Sequence, residues 1–384
     1  METLAPLVFV SSAGIALYQK KWVWPSRWIL ACFSGLLLVA IASFYSNSLP
    51  PASFLDYIGE FRWMISYLGF VQFFNLAYKH INFEKIFFTI QCVLIVAGFY
   101  SIYQFFTAHD LFRSHATFHR IYEGSQLWRP NAFFGLPTTY AYASAMFFCM
   151  SLANWLHIRN PASRGSKVTQ FYFFISALNI LLSFTRAAWI AFFASVTTLL
   201  YIVNKKLCLR IVLALMISVS VLYSSMPDFK SRIDSIFDLN YIANHNRIYL
   251  WKANWNIFKE NPWVGIGFNE NVKNIDRYLD VFDKPEVMRN HPHNTYLNFL
   301  AGLGSFGLFF FLLLVGVNLK HTIQGIRHSP HALHRTLYIG ALGAQMVLLI
   351  GGITECNFED IELTHQYILY IALVEYLRQQ DFPV

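Results

Sequence analysis

The chain has 384 residues, 56% of them hydrophobic and only 13% charged, with a formal net charge of +8. A soluble domain carries about 25% charged residues, so this deficit excludes an ordinary soluble globule and places lipid around most side chains. The basic excess recurs in short loops at every second apolar stretch, a membrane-orientation pattern that argues against nucleic-acid binding.

A membrane span needs about 20 apolar residues. In chain order the apolar stretches are 4–18, 28–46, 61–78, 86–106, 132–156, 170–184, 187–203, 208–225, 294–319, 336–354 and 361–377. The first lacks a preceding basic segment and a clear cleavage site, so it reads as a retained membrane segment. Thr185-Arg186 splits 170–203 into two spans that meet at a surface. Lys20, Lys21, Arg27, Lys79, Lys85, Arg159, Arg164, Lys167, Lys205, Lys206, Arg210, Lys320, Arg327, Arg335 and Arg378 then fall on one side, the cytoplasm. The outer side receives 47–60, 107–131, the 184–186 turn, 226–293 and 355–360. The count of eleven leaves the N-terminus outside unless 4–18 only half-crosses. The expected fold class is an all-α polytopic membrane protein of about 11–12 transmembrane helices with one large helical outer loop. Its parts are 1–225 (transmembrane helices), 226–293 (loop domain) and 294–384 (further helices and a short cytoplasmic tail).

The stretch 226–293 is too long for a bare connection, so it should carry its own structure. Ile248, Trp251, Trp255 and Phe258 recur at spacings of three and four, which predicts an amphipathic helix over 245–260 with these residues as its face. Asn261-Pro262 stops that helix, and Gly265-Ile266-Gly267 reads as a flexible turn. The five cysteines offer no pair in a polar loop, so neither a disulfide framework nor a metal knuckle is expected.

Three groups of residues carry candidate chemistry. Arg186 stands on the outer side, where positive charge is under-represented, with Trp189 at i+3 as an interface anchor. The alternative is a snorkelling arginine at a span end. A fixed guanidinium there suits a phosphate, which it grips with two parallel hydrogen bonds. Arg247 opens the amphipathic helix, one turn before Trp251; on position alone it reads as a solvated helix residue. His291 and His293 close the loop, with Asn294 beside them to fix a tautomer or orient a substrate hydroxyl. No third ligand lies at a familiar spacing, so zinc is disfavoured and a general base is the more natural role. Loop 107–131 adds His109, Arg113, His115, His119, Arg120 and Arg129, a basic set suited to an anionic headgroup. The long outer loops contain no Asp-x-Asp, and Glu359-Asp360 reads as a hydrated turn.

Taken in order, these segments resemble the O-antigen ligase/polymerase superfamily of bacterial envelope glycosyltransferases. The resemblance runs from about 175 to 310. It rests on Ser183-Phe184-Thr185-Arg186-Ala187-Ala188-Trp189, on Arg247 with Trp251 and Ala253, and on Asn261-Pro262-Trp263-Val264-Gly265-Ile266-Gly267. His293-Asn294-Thr295-Tyr296-Leu297, Gly302-Leu303-Gly304 and Gly307 complete it. The resemblance implies a GT-C-like fold in the bacterial inner membrane, with 226–293 periplasmic. It implies a donor glycan on undecaprenyl pyrophosphate and, in the ligase branch, a sugar hydroxyl of lipid A–core as acceptor. It implies neither metal nor cofactor, and inversion at the anomeric carbon. Arg186 and Arg247 would then hold pyrophosphate and His293 would be the base, with His291 as the alternative. His291, Asn294, Trp251, Arg120 and Arg129 form the expected substrate-binding set. Polymerase and protein O-oligosaccharyltransferase are the rival branches; a transporter fits less well, because the spans carry charge almost only at their ends.

Overall fold

The computed structural model describes residues 4–46, 53–114, 118–121, 125–157, 164–238, 241–279 and 290–383. His115 and residues 280–289 of the polar stretch lie outside them. The helices are α1 (Leu4–Tyr18), α2 (Arg27–Ser46), α3 (Phe54–Gly59), α4 (Arg62–Ala77), α5 (Phe83–Thr107), α6 (Pro137–His157), α7 (Arg164–Leu182) and α8 (Arg186–Val203). They continue with α9 (Lys205–Ser225), α10 (Pro227–Phe237), α11 (Ile242–Glu260), α12 (Asn271–Asn274), α13 (Thr295–His328), α14 (Ala332–Gly351) and α15 (Ile361–Asp381). The described strands are β1 (His119–Arg120) and β2 (Trp128–Arg129), an antiparallel pair.

The molecule is an all-α polytopic membrane protein. Each of the eleven apolar stretches falls on a helix, and α2, α5, α8, α9, α13 and α14 are long and apolar enough to cross a membrane. By the same measure α1, α4, α6, α7 and α15 are too short or too polar in composition, so six of the eleven expected spans qualify by length and hydropathy. Two compact units divide the chain.

The first unit comprises 1–79, 240–328 and 352–384. In it α13 packs on α2, α15 on α4, and α4 on α1. Phe299 and Phe311 stack at 4.0 Å, and Phe358 meets both edge-on. The predicted amphipathic helix exists as α11, but its buried face is Leu250, Ala253, Asn254 and Ile257. Trp255 is half exposed, and Ile248, Trp251 and Phe258 are only partly buried. The aromatic stripe is therefore not the core face. Small and aliphatic residues let α11 close on Ile266, Ile275 and Ala301 instead.

The glycine segment is not a flexible turn. Gly304 interrupts α13 with φ 66° and ψ −167°, freeing backbone groups inside the helix. Residues 262–267 satisfy them: Ile266 and Gly267 amides donate to the Ala301 and Gly302 carbonyls (3.2 and 2.8 Å). In return the Ser305 and Phe306 amides donate to the Pro262 and Trp263 carbonyls (2.8 and 3.2 Å). The backbones approach so closely that a Cβ on Gly265 would lie 2.3 Å from the Gly302 carbonyl carbon, and one on Gly304 2.3 Å from that of Trp263. Gly265 also has φ 66°, a region costly for other residues. Gly265→Ala is expected to destabilise the fold by at least about 1–3 kcal/mol from backbone strain alone, read as a lowered unfolding midpoint in detergent. An unchanged midpoint would mean that the segment is not locked onto α13.

The second unit comprises 80–239 and 329–351. Here α14 packs on α6 and α8, and α5 on α7. Glycines permit this closeness, as is common between membrane helices: Gly343 faces Cys149 and Leu199, and Gly98 faces Ile175 and Asn179. Helix α9 buries only Cys208 and presents Leu209, Leu213, Met216 and Ile217 outward, a surface suited to lipid.

Candidate active site

In the first unit, α11 supplies Arg247 and Trp251, the entry to α13 supplies His291 to Asn294, and the segment before α15 supplies Glu355. Asn294 caps α13. Its side-chain oxygen accepts from the Leu297 amide at 2.9 Å and its amide group donates to the Ile353 carbonyl at 2.9 Å. The Trp251 indole N–H donates to the Pro292 carbonyl at 2.7 Å, which ties α11 to the histidine loop. His293 adopts φ 47°, unusual for a residue with a side chain and typical of strained functional positions.

The histidine's partner is Glu355, 62 residues further along the chain, with His293 Nδ1 2.7 Å from Glu355 Oε1. The other carboxylate oxygen lies 3.6 Å from Arg247 Nη2. Burial opposes ionisation of Glu355. The hydrogen bond and electrostatic pull of His293, with Arg247 and His291 adding to them, outweigh it and hold the carboxyl at about 2. An ionised carboxylate only accepts hydrogen bonds, so Nδ1 of His293 carries a proton. In the neutral ring Nε2 is then left with a free lone pair. His291 differs: its Nδ1 accepts from the His293 backbone amide at 3.2 Å. Burial, with Arg247 and the adjacent His293 adding to it against Glu355, lowers its pKa to about 4, so it is neutral at pH 7.

This arrangement also supplies the third ligand type that sequence spacing did not offer. Donor atoms of His291, His293 and Glu355 lie within 4.8 Å of one another, as do those of His291, Cys356 and Glu359. The Arg247 guanidinium beside Glu355 works against a cation there, and the close His293–Glu355 pairing suits proton handling better.

Glu359 and Asp360 do not form a hydrated turn. Asp360 caps α15, accepting from the amides of Glu362 and Leu363. Glu359 accepts from the Asn298 amide group, which also donates to Asn269 at 3.0 Å. Asn271 donates to both Asn298 and Asn254 at 2.7 Å, so one amide network links α11, α12 and α13. Burial, with the charges of Glu60 and Glu355 adding to it, raises Glu359 to about 8 despite the Asn298 hydrogen bond. The folded form thus holds this proton more tightly than an unfolded chain at its ordinary 4.5. The associated stability is full below that value and is lost as pH rises through about 8. Glu359→Gln is expected to flatten the fall in melting temperature between about pH 4.5 and pH 8. An undiminished fall in the variant would assign it to another group.

In the second unit, Phe184 turns the chain with φ 50° between α7 and α8. Arg186 is the first residue of α8 and is 9% exposed. Its Nη1 donates to the Ser235 carbonyl and hydroxyl oxygens at 2.5 and 3.1 Å. Arg129 braces the same turn through the Ser183 carbonyl (2.9 Å) and the Thr185 hydroxyl (3.1 Å). Arg232, which sequence reasoning missed, donates to the Phe184 carbonyl at 3.1 Å. Two guanidiniums, those of Arg129 and Arg232, thus converge on Ser183-Phe184-Thr185. Trp189 is held by the Ile180 carbonyl at 2.9 Å. Arg120 lies over the Trp128 ring at 4.9 Å and is exposed. Arg113 is engaged by Asp110, whose carboxyl is held at about 2; there burial is outweighed by hydrogen bonds from Arg113, the Phe112 amide and Tyr100.

The structure therefore sorts the expected residues into two sets. Arg247, Trp251, His291, His293 and Asn294 gather with Glu355 in the first unit, while Arg186, Arg129 and Arg120 belong to the second.

These features define a polytopic membrane protein with a buried arginine at a span end and a histidine–carboxylate pair beside a polar insertion. Residues 171–312 match the family model described as O-antigen ligase. The match covers well under half of the chain, and it makes this segment similar to the O-antigen ligase family. The match contains Arg186, Arg247, His291 and His293 and ends before Glu355. A search of curated proteins returned no match.

Proposed function

We propose that this protein is an O-antigen ligase of the bacterial inner membrane. It moves a glycan from undecaprenyl pyrophosphate to a sugar hydroxyl of lipid A–core on the periplasmic face, without metal and with inversion. The observation that supports the reading best is the 2.7 Å contact between His293 Nδ1 and Glu355, which leaves Nε2 as the proton acceptor. Nε2 takes the proton of the acceptor hydroxyl as its oxygen bonds to the anomeric carbon. The bond from that carbon to the pyrophosphate oxygen breaks, and the electron pair leaves with the pyrophosphate. Arg186 and Arg247 stabilise the departing charge through charge-assisted hydrogen bonds. Trp251, His291 and Asn294 in the first unit, and separately Arg120 and Arg129 in the second, are the proposed substrate-binding residues, Trp251 and Asn294 by fixing the histidine loop.

The test is transfer of lipid-linked glycan to purified lipid A–core by the reconstituted protein. Activity should persist in a chelator, and a reporter fused near residue 260 should signal from the periplasm. Elongation of lipid-linked glycan with no transfer to lipid A–core would identify a polymerase instead. A cytoplasmic signal from the fusion would remove the active-face argument.

A further inference from the structure

We infer that Glu355 is the positioning residue of the proposed base: it fixes the Nδ1–H tautomer of His293, aims Nε2 outward, and is itself steadied by Arg247. This rests on the reading of His293 as base and adds a residue from outside the matched family segment, since 171–312 ends before it. Four observations carry it. The carboxylate lies 2.7 Å from Nδ1, with His293 and Glu355 side chains 25% and 15% exposed, so water competes only weakly for the contact. Arg247 lies 3.6 Å from the second oxygen and restrains rotation of the carboxylate. The Glu355 backbone is fastened independently, because the Thr295 hydroxyl donates to its carbonyl at 3.0 Å. The adjacent Cys356 sulfur accepts the Asn294 amide at 3.2 Å, so the segments bearing the acid and the histidine are tied to each other.

A neutral imidazole divides its proton between two nitrogens unless a neighbour decides, and a base needs its lone pair on the nitrogen facing the substrate. When Nε2 accepts the acceptor-hydroxyl proton, the ring becomes imidazolium. The carboxylate stabilises that charge across the Nδ1–H bond without taking the proton, which later leaves from Nε2 to solvent. Nothing is oxidised or reduced.

The experiment compares wild type, Glu355→Gln, Glu355→Asp and His293→Ala in the transfer assay, with ¹⁵N imidazole spectra of the histidine-labelled protein. Glu355→Gln is expected to lower kcat about 10²-fold with KM for the lipid-linked donor little changed. Glu355→Asp, which keeps the charge on a shorter stem, should recover part of that loss. The His293 signal should report Nδ1–H in wild type and a mixture of tautomers in Glu355→Gln. If Glu355→Gln fails to fold, the aspartate variant and its spectrum carry the test. Wild-type kcat in either variant while His293→Ala is inactive, or a tautomer unchanged by Glu355→Gln, overturns the inference and leaves the base in place. Wild-type turnover in His293→Ala removes the underlying reading itself.

Discussion

His293→Ala is expected to lose about 10²–10⁴-fold in transfer turnover, the usual contribution of a general base, while still binding the lipid-linked donor. Binding should survive because the proposed mechanism assigns the pyrophosphate to the guanidiniums and not to the imidazole. His291→Ala should cost less, because His291 offers its Nδ1 to the His293 backbone and its proton affinity is depressed to about 4. It supports the loop conformation and is a poor proton acceptor at neutral pH. The measurement is single-turnover transfer for each variant alongside a donor-binding isotherm. Wild-type turnover in His293→Ala, or a larger loss in His291→Ala, would reverse the assignment.

Neutral replacement of Arg186 or Arg247 is expected to cost at least about 10²-fold in turnover, the scale of removing one stabiliser of transition-state charge. Lysine should restore only part, because it lacks the planar fork that grips two phosphate oxygens. The two sites differ in their side effects. Arg247→Ala removes a partner of Glu355, so it should also disturb the His293 tautomer. Arg186→Ala breaks the link from α8 to Ser235, so its melting temperature must be compared with wild type before activity is interpreted. Full turnover in a folded Arg186→Ala would take that residue out of the mechanism.

The spans were readable because lipid demands long apolar runs, and runs of that length survive any detail of packing. Arg186 and His293 stand out as candidates in the sequence because charge at a span end or loop end contrasts with its surroundings, whereas Arg247 on position alone reads as a solvated helix residue and becomes a candidate only through the resemblance. Glu355 was not: a lone glutamate in a short loop carries no signal until folding brings it 2.7 Å from a histidine 62 residues away. The spacing of the sequence puts the tryptophans on the core face of α11, whereas packing on Ala301 and Ile266 selects the slimmer residues. Arg129 read as one more basic loop residue, although it braces the turn before Arg186. Long-range hydrogen bonds of this kind leave no local pattern in sequence.

The break in α13 makes distance along the chain a functional quantity. Residues 262–267 are fastened to 301–306, and α11 runs into that fastening with no slack beyond Asn261. Each residue of a helix advances about 100° around its axis and 1.5 Å along it. The interval from Arg247 to Pro262 therefore behaves as a ruler that sets the angle at which the guanidinium meets Glu355. Removing one residue from it would swing Arg247 about a quarter-turn away from the carboxylate while leaving every side chain of the site intact.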